Sequence, residues 1–386
     1  MGRFVLLVGL LLALLAGGAW LLGRRQDDLP AARWRLAESV GGDAAEGFAI
    51  ADRPRAFAFP ADHGPHPDFR VEWWYFTGNL AGEDGRRFGY QLTFFRRAVA
   101  PAADGAAERE SAWATRQVYL AHLAVTDQRG RRFAAFERLA RGAVGLAGAE
   151  AEPFRVWVEG WRAESAGGAA GGVFPLRLTA ADDGVALDLL LATAKPPVLR
   201  GDDGLSVKGP GRGNASYYYS LTRLPTRGTL TLGGERFAVS GLSWLDREWS
   251  TTLLGPGERG WDWLALQLDD GREVSGWRIR RAGAAPDRLD ALAVVEPDGT
   301  LRPLDPARHR LLASSPWESP TGARYPTAWR LSGPGLDLAL AALLPDQELR
   351  LSIHYWEGAV TARGTLGGRP VGGRGYVEMT GYGAAD

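Results

Sequence analysis

From Arg55 onward the chain is built of short apolar runs separated by Gly, Pro and acidic turns. Runs with period-2 alternation, or apolar on both sides, predict strands at 71–80, 90–95, 118–127, 156–158, 176–179, 185–191 and 217–223. A hairpin follows at 229–232 and 236–239, and later strands at 292–296, 328–332, 336–343 and 349–354. Segments 354–360 and 375–382 alternate and close the second half. Phe133–Arg141 reads as a short helix or 3₁₀ segment, and 142–149 as a small-residue loop. Beyond position 60 no long stretch carries a 3.6-residue period. The predicted fold class is all-β, with closed or half-closed antiparallel barrels.

One segment occurs twice. Glu72-Trp73-Trp74-Tyr75-Phe76-Thr77-Gly78-Asn79-Leu80 returns, weakened, as Trp261-Asp262-Trp263-Leu264-Ala265-Leu266-Gln267-Leu268. Each copy runs into a tight turn, Glu83-Asp84-Gly85-Arg86 and Asp269-Asp270-Gly271-Arg272. The spacing is too long for a solenoid repeat and predicts two copies of one domain. The domains are placed at 57–240 and 241–386.

The N-terminus differs in kind. Phe4–Leu22 is an uninterrupted apolar and small-residue run, long enough as a helix for the ~30 Å hydrocarbon core of a bilayer. Residues 1–25 are read as a signal anchor or a cleaved signal peptide, with Ala16-x-Gly18 available for cleavage. Residues 26–56 form a polar, Ala-rich linker. Flanking positive charge is nearly balanced, so the run does not set which side of a membrane the rest of the chain faces.

Composition narrows the partners. The 386 residues include 45 basic and 45 acidic side chains, so no cationic excess points to nucleic acid. There is no Cys, which removes disulfides, thiolate metal sites and a Cys nucleophile. His63-Gly64-Pro65-His66-Pro67 could be half a metal site, but its Pro and Gly favour a rigid turn and no third ligand is near. Neither a metal nor a cofactor is expected. Leu205–Asn214 is Gly-rich but lacks the spacing and strand-to-helix context of a phosphate loop.

Candidate chemistry concentrates in two places. Gly241-Leu242-Ser243-Trp244-Leu245-Asp246-Arg247-Glu248-Trp249-Ser250 sets charged groups between two Trp residues. It is either an Arg–carboxylate knot joining the domains or a carboxylate held in an aromatic cavity. His122 lies inside an apolar strand, as a satisfied core His or a site His. Fifteen Trp residues can equally be core or cavity wall.

These motifs carry a resemblance. His66-Pro67 with Glu72-Trp73-Trp74-Tyr75, Ala121-His122 with Thr126-Asp127, Ser243–Trp249, Gly260–Trp263 and Tyr355-Trp356-Glu357-Gly358-Ala359-Val360 look like the AttH-like / carotenoid 1,2-hydratase (hydroxyneurosporene synthase) family over about residues 57–383. The resemblance implies tandem lipocalin-like domains, export with an expected location on the periplasmic side of a bacterial inner membrane, anchored or released, and, for the AttH branch, association with ABC-transporter components such as a permease. Its carotenoid branch is a hydro-lyase that adds water to an isoprenoid double bond, which needs a dry carboxylic acid and aromatic walls for a cation. Asp246 and Asp262 are the candidate acids, with His122 nearby. Glu72, Trp74, Tyr75, Tyr219, Trp244, Arg247, Trp249, Trp261 and Trp263 are the candidate ligand contacts. The hydratase branch carries Asp-His-Asn-Trp where this chain has Asp246-Arg247-Glu248-Trp249. Arg247 is therefore expected to hold Asp246 ionised, which favours binding of a hydrophobic small molecule, a lipid or isoprenoid, inside a barrel over acid catalysis.

Overall fold

The computed structural model describes residues 46–101, 111–167, 172–252, 254–255, 257–281 and 283–383. The predicted N-terminal hydrophobic helix and the linker up to residue 45 lie outside the described residues. Among the described residues no helix is long and apolar enough to cross a membrane.

The chain folds as two antiparallel sheets that curl on themselves, one a nearly closed barrel and the other a half-barrel. The first sheet contains β1 (Val71–Gly82), β2 (Arg87–Ala98), β3 (Gln117–Asp127), β4 (Arg132–Arg141), β5 (Ala147–Glu150), β6 (Arg155–Val158) and β7 (Trp161–Ser165). It continues with β8 (Leu176–Asp182), β9 (Val185–Leu191), β10 (Val198–Leu199), β11 (Leu205–Val207), β12 (Ala215–Leu232) and β13 (Glu235–Ser250). The second contains β14 (Glu258–Leu268), β15 (Glu273–Arg281), β16 (Ala291–Val295), β17 (Leu301–Pro303) and β18 (Arg310–Glu318). Its remaining strands are β19 (Arg324–Gly333), β20 (Leu336–Ala342), β21 (Glu348–Arg350), β22 (His354–Leu366) and β23 (Arg369–Thr380).

The duplication is visible in the pairing. The repeat strands β1 and β14 each lie between the next strand in sequence and the last strand of their own sheet: β1 between β2 and β13, β14 between β15 and β23. Tyr75 lies opposite Asp246, and its counterpart Trp263 lies opposite Glu378. Asp246 and Glu378 are thus two copies of one position.

Two boundaries differ from the sequence reading. β13 pairs along its length with β1 and β12, so residues 241–250 complete the first sheet. The chain changes sheet between Ser250 and Glu258, because the β13 ladder continues past the 240/241 boundary. Phe133–Arg141 is strand β4, not a helix. Its Ala, Glu and Arg residues suit a helix locally, but β3 offers a complete ladder from Asp127–Arg132 to Val118–Arg141, and tertiary pairing prevails.

Alternation along each strand sends side chains to opposite faces. In β1, Trp74, Phe76 and Leu80 join the core on the concave face of the first sheet, as do Leu245 and Trp249 of β13. In β14, Leu264, Leu266 and Leu268 do the same in the second. The concave faces are packed with their own side chains. The opposite faces of β1, β13, β14 and β23 meet, where Tyr75, Trp244, Trp263, Ala265 and Tyr376 form a separate apolar cluster between the sheets.

Candidate functional site

A cavity of about 80 Å³ lies in this inter-sheet layer. Its walls are aromatic: Trp73 and Tyr75 from β1, Trp261 and Trp263 from β14, Trp277 from β15 and Tyr218 from β12. Asp246, Glu248, Glu378 and Lys208 supply the charge. In place of the predicted cavity inside a barrel this cleft lies between the sheets, because core side chains fill the concave faces except at the open end of the second.

Neighbouring strands place the groups in rows. Across the first sheet Thr93, Tyr75, Asp246 and Ser220 are direct partners on β2, β1, β13 and β12. Across the second, Trp277, Trp263, Glu378 and Glu357 are partners on β15, β14, β23 and β22. Direct cross-strand partners project on the same face, so each row presents its side chains together.

Asp246 is 3% exposed and makes no salt bridge among the described residues. It accepts hydrogen bonds from Tyr218 Oη, Ser220 Oγ and Trp244 Nε1, each at 2.6 Å. Trp263 Nε1 donates to Tyr218 Oη at 3.2 Å. Burial pushes the Asp246 carboxyl up to about 6, while the nearby Arg200 charge and these three donors hold it down. Among the described residues Glu378 has one hydrogen-bond donor, Trp261 Nε1 at 3.1 Å. Burial, with Asp246 and Glu248 close by, pushes its carboxyl up to about 8. Glu357 accepts from Tyr75 Oη at 2.6 Å, and burial beside Glu378 holds it well above the usual carboxylate range. Glu248 differs: Lys208 Nζ lies 3.0 Å from it, and the Lys208 ammonium sits 4.6 Å from the Trp277 ring centre.

The sequence-predicted residues divide between separate locations. Tyr75, Trp244, Asp246, Trp261 and Trp263 are brought together at the cleft. Arg247 is not: being one residue out of phase with Asp246, it faces the concave side, where it pairs with Glu72. The expectation that Arg247 holds Asp246 ionised is therefore overturned, and so is a knot between the domains, since Glu72 and Arg247 belong to one sheet. Arg96 also bonds to Glu72, and the Arg247 guanidinium lies 3.8 Å from the Trp74 ring centre. The two Arg charges hold the Glu72 carboxyl well below its ordinary range despite its burial. Trp74 Nε1 donates to His63 O at 2.9 Å, His63 Nδ1 meets Tyr219 Oη at 2.6 Å, and His66 stacks on Trp249 at 3.6 Å. Glu72, Trp74, Tyr219, Arg247 and Trp249 thus form a buried structural assembly under the 3₁₀ turn Ala61–His63, not a ligand surface.

Asp262 is also out of phase with its Trp neighbours. It faces the concave side of the second sheet, paired with Arg278 and, at 3.2 Å, with Arg280. Two cations make it an anchor, not a cleft acid. His122 is fully buried, one side chain away from the cleft: its Nδ1 lies 2.7 Å from the Oη of Tyr355, a wall residue. Burial lowers its affinity for a proton, so it is neutral. Sequence reasoning missed Glu378, Glu357, Tyr218 and Lys208. The signal was present for the first two, as acids inside the apolar runs Val377-Glu378-Met379 and Trp356-Glu357-Gly358.

Fold and site together define a tandem lipocalin-like protein with paired carboxyls in an aromatic cleft between its sheets. The AttH-like family model matches residues 50–382, and the chain belongs to that family. A crystal structure of a protein assigned to AttH from Nitrosomonas europaea is 35% identical, with a TM-score of 0.74, over 87% of this chain and 100% of that one. Kievitone hydratase from Nectria haematococca shares the fold at 17% identity and a TM-score of 0.65, over 86% of this chain and 98% of that one. No curated protein matches the sequence.

Proposed function

We propose that the cleft binds the apolar end of a small hydrophobic molecule and adds water across a carbon–carbon double bond, or removes it, by acid–base catalysis. The observation that carries this reading is two buried carboxyls, Asp246 and Glu378, lining one aromatic cavity with no ion-pair partner among the described residues; burial pushes them up to about 6 and about 8. Two carboxyls whose environments separate their proton affinities mark a base and an acid. At neutral pH Glu378 keeps its proton and Asp246 has lost its own.

In the hydration direction, Glu378 gives its proton to one alkene carbon as the π bond breaks. The cation left on the other carbon is stabilised by the faces of the surrounding Trp and Tyr rings. A water oxygen bonds to that carbon and passes one proton to Asp246. Proton exchange from Asp246 back to Glu378 resets the site. Tyr218, Ser220 and Trp244 orient Asp246; Trp261 orients Glu378. A cavity of 80 Å³ is below the ~300–1,000 Å³ that encloses a whole drug-sized ligand, so it suits one end of a longer molecule. Kievitone hydratase, named for this reaction type, has the same fold, but the residues of this chain carry the proposal.

The test is incubation of the protein with an apolar cell extract in oxygen-labelled water. The expected result is labelled hydroxyl appearing in one apolar compound, lost in both Asp246→Asn and Glu378→Gln. Turnover retained in both variants contradicts the assignment. An envelope location and an ABC-permease partner belong to the same proposal, resting on the Phe4–Leu22 run and the family. Membrane fractionation and co-purification test them.

A further inference from the structure

A second concavity, of about 630 Å³, opens at the end of the second sheet. Six arginines line it: Arg259, Arg278, Arg280, Arg281, Arg288 and Arg324. Asp287 and Asp290 are its acidic wall residues. Arg278 and Arg280 pair with Asp262, and Arg281 with Glu258 and Asp290. Arg259, Arg288 and Arg324 are exposed and make no side-chain ion pair among the described residues. The wall is cationic, on a chain whose formal net charge is zero.

The basin adjoins the cleft. Ile279 lines both, and Arg281 reaches across to Lys208 of the cleft wall, donating to Lys208 O at 2.6 Å. Parity explains the junction: Trp277 and Ile279 face the cleft, while Arg278 and Arg280 face the other side of β15 and its open end. The basin also has apolar wall, from Leu311, Leu312 and Pro326. The two spaces therefore meet at Ile279 round the open end of β15, where the wider one carries the guanidinium groups that have no ion-pair partner among the described residues. Guanidinium groups recognise phosphate and carboxylate through paired charge-assisted hydrogen bonds.

We propose that the ligand is an anionic amphiphile, with its apolar end in the aromatic cleft and a phosphate or carboxylate head held by Arg259, Arg288 and Arg324. This rests on the cleft reading given above and names the class of molecule it takes.

Titration calorimetry of the full chain with farnesyl phosphate, farnesol and inorganic phosphate tests it, beside the triple variant Arg259→Gln/Arg288→Gln/Arg324→Gln. The expected result is farnesyl phosphate binding about tenfold or more tighter than farnesol, with that advantage lost in the triple variant and reduced by added salt. Equal affinity for farnesol and farnesyl phosphate, or an unchanged triple variant, overturns the anionic head while leaving the cleft intact. Inorganic phosphate binding as tightly as farnesyl phosphate, with farnesol silent, overturns the amphiphile and the cleft reading together. No binding of any of the three overturns both.

Discussion

Asp246 and Arg247 are consecutive in the chain and lie on opposite faces of one strand: Asp246 in the cleft beneath Tyr218, Ser220 and Trp244, Arg247 on the concave side against Glu72 and Trp74. A dipeptide that looks like an ion pair in sequence is two separate arrangements, one in the cleft and one in the packed interior. Replacing each alone should separate them.

Arg247→Met removes a fully buried partner of Glu72 and the bonds Arg247 gives to carbonyls of the 60s turn. Glu72 keeps Arg96, but a broken buried pair costs roughly 3–5 kcal/mol, so a loss of about 3 kcal/mol is expected in denaturant unfolding. Asp246→Asn should cost much less, because its amide oxygen still accepts and its amide nitrogen can donate to Tyr218 Oη. Comparable losses in the two variants would contradict this division.

Glu378 makes a distinct contribution to stability against pH. Its folded carboxyl titrates near 8, and the ordinary value is 4.5. Between those values the folded state holds a proton the unfolded state has released. The contribution is fully present below 4.5 and is lost as pH rises through 8. One proton changes stability by about 1.4 kcal/mol per pH unit in that window. Glu378→Gln should flatten this part of the curve, so the stability difference between variant and wild type grows in the variant's favour from pH 5 to 8. A pH-independent difference would show that Glu378 is ionised in the folded protein.

Much of the fold was legible because strand alternation and the Trp73/Trp261 duplication are local properties of the sequence. The edge strand β4 was not, since its Ala, Glu and Arg residues carry a helix preference that only pairing with β3 overrides. Site residues were half legible. Alternation says that Asp246 and Arg247, or Asp262 and Trp263, face opposite ways. It does not say which face meets the other sheet, because that depends on contacts between β1 and β23 or β2 and β22, hundreds of residues apart. Aromatic flanks therefore drew Asp262 into the site and left Glu378 out. The equivalence of Asp246 and Glu378 appears only when Tyr75–Asp246 and Trp263–Glu378 are seen as the same cross-strand pair.

Tyr218 holds the Asp246 carboxyl down by donating to its Oδ2. Tyr218→Phe should therefore raise the Asp246 titration above 6, read as the carboxyl chemical shift in aspartate-labelled protein. In a turnover assay the lower limb of the pH profile should move the same way. An unmoved titration would mean that the phenol does not stabilise the carboxylate.

Asp262→Asn should act on the fold alone. It leaves Arg278 and Arg280 buried or half-buried with a neutral partner, at a cost of about 3 kcal/mol. The folded fraction should keep its cleft titrations, because Asp262 faces the other side of β14. Loss of turnover in fully folded Asp262→Asn would return this residue to the catalytic set.

The proposed chemistry depends most on one carboxyl being protonated at neutral pH. Infrared difference spectroscopy of wild type minus Glu378→Gln, between pH 5 and 9, reads it without any substrate. The predicted result is a protonated-carboxyl band present at pH 7, assigned by its loss in the variant and titrating with a midpoint near 8. A difference spectrum showing only ionised carboxylate from pH 6 upward would contradict the acid–base pair and leave the cleft a binding surface without its proton donor.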